Sequence, residues 1–132
     1  MRETAASFPD SIKRSARPEL VQLNPGDCDG LTQEEILARW PEETGRRKRD
    51  PYHHRYPRAE SYHDLANRLW PVMLEMERET SDLCIVAHES VLRVLCAYFM
   101  ENSADVSTPH PPTSPRSFGV LGRFWMEVDV CV

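Results

Sequence analysis

Leu65, Leu69, Val72, Met73 and Met76 recur at steps of three and four with mostly polar residues between them, the spacing that lines one face of a helix. Ser61 with Asp64 three positions later can satisfy each other's unpaired backbone donors, so the spacing predicts a helix from about residue 61 to residue 78. Pro71 lies inside that pattern and should kink it, because it lacks a donor and crowds the carbonyl four residues earlier. Residues 82–87, DLCIVA, form a short apolar run suited to a strand covered on both faces, as in parallel sheets. Helical spacing resumes over residues 90–100 through Val91, Leu92, Leu95 and Tyr98 with Phe99. Helix, strand and helix in this order predict an α/β fold.

Upstream, Thr32 and Glu35 form a capping box that opens a short helix to about Trp40, where Pro41 should stop it. Near the end of the chain Phe124, Met126, Val128 and Val130 alternate with Trp125, Glu127, Asp129 and Cys131, the pattern of a half-buried strand. Pro9, Pro18 and Pro25 mark residues 1–26 as a flexible lead-in, and Pro109, Pro111, Pro112 and Pro115 mark residues 103–117 as an irregular linker. The chain therefore divides into a lead-in (1–26), a folded core (27–102), and a linker with a terminal strand (103–132). Its 132 residues suit one domain rather than two.

Composition narrows the environment. No run approaches eighteen apolar residues, and the opening MRETAASFPD carries acid and no hydrophobic segment, so neither membrane insertion nor classical secretion is expected. Cys28, Cys84, Cys96 and Cys131 show no C-x-x-C spacing and read as reduced, largely core thiols in a cytoplasmic protein. The net charge of −5 hides a local reversal: between Gly45 and Arg58 six Arg or Lys stand against one Asp. Such a cluster attracts a phosphorylated metabolite or a nucleic-acid backbone, or is simply a solvated loop. Arg46 to Arg49 lacks interleaved stacking aromatics and any nucleic-acid motif, so no nucleic-acid partner is expected. Adjacent His53 and His54 point apart in most backbones and have no Cys or carboxylate at a useful spacing, so no metal is expected and no cofactor is called for.

The candidate chemistry lies in CIVAHESVLRVL, residues 84–95. Ligands of open α/β sheets bind beyond the carboxyl ends of strands, where helix N-termini converge. His88 stands at that edge, a helix start follows near Ser90, and Arg93 lies about one turn further on, able to grip a phosphate. The residues read as an anion pocket with a proton-active imidazole; the alternative is a structural histidine bonded to backbone.

Four stretches, CDGLTQEEI (28–36), WPEE (40–43), RYPRAESYHDLANRLWPVMLEMER (55–78) and IVAHESVLRVLCAYF (85–99), resemble the bisphosphatase domain of the 6-phosphofructo-2-kinase/fructose-2,6-bisphosphatase family, in the histidine phosphatase (phosphoglycerate mutase-like) superfamily. The resemblance implies a fragment of an α/β sandwich with a mostly parallel sheet flanked by helices. It implies His88 as the histidine that stabilises the transferring phosphoryl group, with Glu89, Arg93, Arg47 and Tyr62 contacting the sugar phosphate. Glu89 stands where glutamine is more usual, Gln33 where the family has tyrosine, and Pro51 where it has lysine. No Arg-His-Gly motif for the attacking histidine occurs among His53, His54, His63, His88 and His110, and Leu23-Asn-Pro-Gly-Asp-Cys28 lacks the acid glutamate. Asp27 and Arg14 are the remnants considered for acid and phosphate roles. There is no G-x-x-x-x-G-K-[ST], so the ATP-binding kinase half is not expected here. The resemblance thus implies a fructose-2,6-bisphosphatase-type domain impaired in catalysis, incomplete in its sheet, with fructose 2,6-bisphosphate or fructose 6-phosphate as ligand. The alternative is a regulatory module that binds a sugar phosphate, a kinase domain or a second copy of itself.

Overall fold

A computed structural model describes residues 8–99 and the backbones of residues 119–121 and 124–128. Helix α1 (Gln33–Arg39) begins where the Thr32 hydroxyl accepts the Glu35 N–H at 3.3 Å and the Glu35 carboxylate accepts the Thr32 N–H at 2.7 Å. It ends at Trp40, held at φ −135° and ψ 68°, because the following proline disfavours helical backbone at that position. Pro41 does more than stop α1. It occupies the first turn of a new helix, α2 (Pro41–Arg49), where its missing N–H costs nothing. The first five residues of the basic run, 45–49, are therefore helical rather than loop. Glu42 and Glu43 sit in its first turn and Arg46 to Arg49 in its last, so the charge pattern complements the helix dipole at both ends.

Helix α3 (Tyr62–Arg78) matches its expected span, with Ser61 and Asp64 completing a capping box. It runs as one element through Pro71. The proline is exposed, and so is Asn67, whose carbonyl loses its helical donor and faces solvent instead. The opposite face is buried: Leu65 and Leu69 are 0 % exposed, and Val72, Met73 and Met76 lie with them in the core. Strand β1 (Leu83–Ala87) follows, then helix α4 (Glu89–Phe99), which buries Val91, Leu92, Val94, Leu95 and Ala97. Each fully buried leucine or valine contributes about 1.5–3 kcal/mol relative to exposure, so α3 and α4 clamp this core from two sides.

β1 departs from expectation. Ile85 and Ala87 are buried, but Cys84 is exposed and Val86 only half-buried, so the strand is covered mainly on one face. Cys84 is thus not a core thiol, whereas Cys28 is buried. Strands β2 (Gly119–Leu121) and β3 (Phe124–Val128) complete a sheet of order β1-β3-β2. β3 runs parallel to β1, pairing Leu83 with Phe124 through Ala87 with Val128, and antiparallel to β2. Among the described residues the sheet thus holds one parallel and one antiparallel pairing, and β2 is an element that the sequence pattern did not predict. The expected linker, residues 103–117, lies outside the described residues.

The lead-in is not featureless. Short 3-10 turns span Pro18–Leu20 and Gly26–Cys28. Arg68 of α3 donates to the carbonyls of Glu19 (2.5 Å) and Val21 (3.0 Å) and grips the Glu60 carboxylate at 2.8 and 2.9 Å. Glu60 in turn accepts the Asn24 N–H at 3.0 Å, and the Ser90 hydroxyl accepts the Leu23 N–H at 3.1 Å. Residues 19–24 are thereby strapped across the N-terminal ends of α3 and α4. Gly26 permits the next turn: it sits at φ +59°, and a Cβ there would fall 2.4 Å from both the Ala59 nitrogen and the Pro57 oxygen.

Candidate functional site

His88 closes β1 and opens α4. Its carbonyl accepts the N–H groups of Val91 (3.0 Å) and Leu92 (3.1 Å), which fixes the histidine at the helix N-terminus. The platform beneath is tightly packed, with Ala87 and Val91 both 0 % exposed. Beside His88 lies a cavity of about 250 Å³ whose wall includes Gln22, Tyr62, His88, Glu89 and Arg93. The His88 Nδ1 is buried without a hydrogen-bond partner.

A second cavity of about 180 Å³ is lined by Cys28, Arg47, His54, Tyr56 and Tyr62 among others. Tyr62 and Leu23 belong to both walls. Burial pushes the Tyr62 phenol above its ordinary pKa, the positive charges of Arg93 and Arg47 pull it back, and the negative Glu89 adds to the rise. All three ionic side chains thus act on one phenol. Tyr62, His88, Glu89 and Arg93 meet in the larger cavity, and Arg47 lines the smaller together with Tyr62.

The ionic partners set what the site can hold. The Arg93 Nε donates to the Glu89 carboxylate at 2.8 Å, and its Nη2 reaches the same oxygen. Glu89 and Arg93 are four residues apart on α4, the spacing at which opposite charges meet on a helix. Glutamate at position 89 therefore offsets much of the Arg93 charge, so an anion in this cavity meets His88, the α4 N-terminus and a shared guanidinium rather than an open one. In the smaller cavity the Arg47 guanidinium lies 5.5 Å from the centroid of the Tyr56 ring. The His54 Nε2 pairs with the Glu43 carboxylate at 2.8 Å, and that contact holds Glu43 below the usual carboxylate range.

Other candidates lie elsewhere. Asp27 is bound by Arg58 at 2.7 Å and lines neither cavity. Arg14 pairs with Asp10 at 3.0 Å and with the Phe8 carbonyl, and it too lines neither. Pro51, at the family's lysine position, lines the smaller cavity, whereas Gln33 is exposed on α1 and lines neither. His53 pairs with Asp50, and among the described residues no group of three or more His, Cys, Asp or Glu could hold a metal ion. Sequence reasoning did not find His54 or Arg68. The partners of His54 and Arg68 lie eight to forty-nine positions away in sequence, beyond the reach of spacing rules that act within one helical turn.

The family model "Histidine phosphatase superfamily (branch 1)" matches residues 1–119. A Saccharomyces cerevisiae protein provisionally named 6-phosphofructo-2-kinase/fructose-2,6-bisphosphatase is 52% identical over 99 residues, covering 74% of this chain and 19% of that protein. The Caenorhabditis elegans 6-phosphofructo-2-kinase/fructose-2,6-bisphosphatase is 48% identical over 82 residues, 62% of this chain and 18% of the relative. The Homo sapiens 6-phosphofructo-2-kinase/fructose-2,6-bisphosphatase 3 is 46% identical over 86 residues, 65% of this chain and 16% of the relative. The matches span less than a fifth of the length of each of these relatives. With its α/β order and a match across most of its length, the chain belongs to branch 1 of the histidine phosphatase superfamily.

Proposed function

We propose that this chain carries the phosphohexose-binding part of a fructose-2,6-bisphosphatase-type domain, impaired in hydrolysis. The observation that carries the reading is the convergence of Tyr62, His88, Glu89 and Arg93 on one cavity, with Arg47 lining the second cavity that Tyr62 also borders. His88 and the helix N-terminus suit a phosphoryl group, and the Arg47 side suits a second anionic group on the same sugar. Hydrolysis through a covalent intermediate needs an attacking nucleophile and a proton donor for the leaving oxygen. The sequence contains no Arg-His-Gly, and Asp27 is occupied by Arg58.

The Glu89–Arg93 pair favours a second reading in the same direction: a non-catalytic module that senses a sugar phosphate, docked to a kinase domain or to a second copy of itself. The described residues contain no helix long and apolar enough to cross a membrane, and a cytoplasmic setting belongs to this proposal. The deciding measurement is phosphate release from fructose 2,6-bisphosphate beside equilibrium binding of fructose 6-phosphate, with His88→Ala and Arg93→Ala as controls. We expect saturable binding that either substitution weakens at least tenfold, about 1.4 kcal/mol or more, with no turnover above solvent background. Turnover abolished by His88→Ala would establish the active enzyme instead, and no binding at all would dispose of both readings.

A further inference from the structure

We infer that Arg68 is a positioning residue for both cavities: it holds residues 19–24 as a movable stretch of their wall, so that closure of this strap and occupancy of the cavities favour each other. The choice of guest rests on the reading of the site as a sugar-phosphate receptor; the placing of the wall by Arg68 does not.

Arg68 lines neither cavity, so any effect it has on a guest passes through what it holds. Its guanidinium forms a fork that a lysine cannot reproduce. Nε and Nη2 grip the Glu60 carboxylate. Nη1 and Nη2 donate to the carbonyls of Glu19, Val21 and Gln22 at 2.5, 3.0 and 3.4 Å. The stretch so held runs directly into cavity wall: Gln22 and Leu23 line the larger cavity, and Leu23, Asn24 and Pro25 line the smaller. Its far end is pinned by two amides, Leu23 donating to the Ser90 hydroxyl and Asn24 to Glu60. Ser90 stands two residues from His88 in the wall of the larger cavity.

Little else ties the strap down. Val21 is 54% exposed, and from residues 19–24 it is Leu20 and Leu23 that pack against the core. Upstream, the Arg17–Glu75 pair is exposed on both sides and adds little. A segment held by side-chain bonds to its backbone, with neither α-helix nor strand of its own, opens more readily than the helices beneath it. A guest that rests against the closed strap must oppose its opening, and by reciprocity a strap that stands mostly open lowers apparent affinity by the closed fraction.

The test applies fructose 6-phosphate to the whole chain, by calorimetric titration and by amide hydrogen exchange. In the unmutated chain the Leu23 and Asn24 amides should exchange roughly tenfold more slowly at about ten times the dissociation constant, because opening then requires release of the guest. The Glu79 amide, bonded to the Met76 carbonyl at the far end of α3, should not respond. Arg68→Ala should weaken binding about tenfold. Arg68→Lys keeps a cation for Glu60 but cannot fork to the carbonyls, so it should recover stability without recovering affinity. With no guest present, the His88 ring signals should move in Arg68→Lys while those of the exposed His53 stay. Full affinity in Arg68→Lys, or Leu23 and Asn24 amides indifferent to bound fructose 6-phosphate, would overturn this inference alone. No saturable binding to the unmutated chain would overturn the sugar-phosphate reading. The His88 signals would then decide the role of Arg68: moved in Arg68→Lys they sustain it, and unmoved they overturn it as well.

Discussion

The two cavities that meet at Tyr62 are held in shape by different forces. The one beside His88 lies at the junction of β1 and α4, and the elements that carry it are anchored by aliphatic residues: Ala87, Val91, Leu92 and Leu95 are all nearly or wholly excluded from solvent. The one beside His54 is framed by short helices, turns and part of the strap of residues 19–24, and polar contacts run along its wall, His54 to Glu43 and Glu60 to Arg68. Aliphatic burial is indifferent to pH and salt across the physiological range. Ion pairs at partly exposed positions are not. One molecule thus joins a hydrophobically fixed chamber to an electrostatically fixed one, and perturbations should separate them.

The largest effect is expected under the first chamber. Leu95→Ala removes a side chain that is 0 % exposed from between α4 and the rest of the core and should cost about 2–5 kcal/mol, measured by denaturant unfolding. A loss below about 1 kcal/mol would show that the His88 platform does not depend on this packing. Next is the latch of the second chamber. Arg68→Ala removes this donor from the carbonyls of Glu19 and Val21, leaves the Glu60 carboxylate with the Asn24 N–H but not its guanidinium, and should cost about 1–3 kcal/mol. It should also change the response to acid. Burial raises the Glu60 pKa, but the bonds from Arg68 and Asn24 outweigh it and leave the folded-state value below the ordinary one. A depressed carboxylate contributes stability that is complete above its unfolded pKa and is lost as pH falls through the folded value. The unmutated chain should therefore lose this contribution below about pH 4.5, whereas Arg68→Ala should lose less of it on acidification. Equal acid sensitivity in both would refute the latch. The smallest effect is at α1, where Thr32→Ala removes the cap of the helix that carries Ile36 into the second cavity and should cost about 1 kcal/mol. Circular dichroism against temperature would register it.

Legibility in the sequence follows the same division. The helix from Tyr62 to Arg78, both capping boxes, the strand ahead of His88 and the helix behind it rest on periodicity and on rules that act within four residues, and each stands where the pattern puts it. Pro41 was read only as a stop because the rule that it cannot continue a helix and the rule that it opens one well apply to the same residue. Residues 19–24 looked loose because nothing in their own composition holds them; the holding group is Arg68, more than forty positions away. The one-sided cover of β1 could not be read from an unbroken apolar run. The Glu89–Arg93 pair is legible in the sequence, since four residues on a helix is a recognised contact distance for opposite charges.

Tyr62 belongs to both walls and is buried. A side chain that borders two spaces couples them: truncating it would remove wall from both at once, so a single substitution would alter the fit of a guest in either chamber.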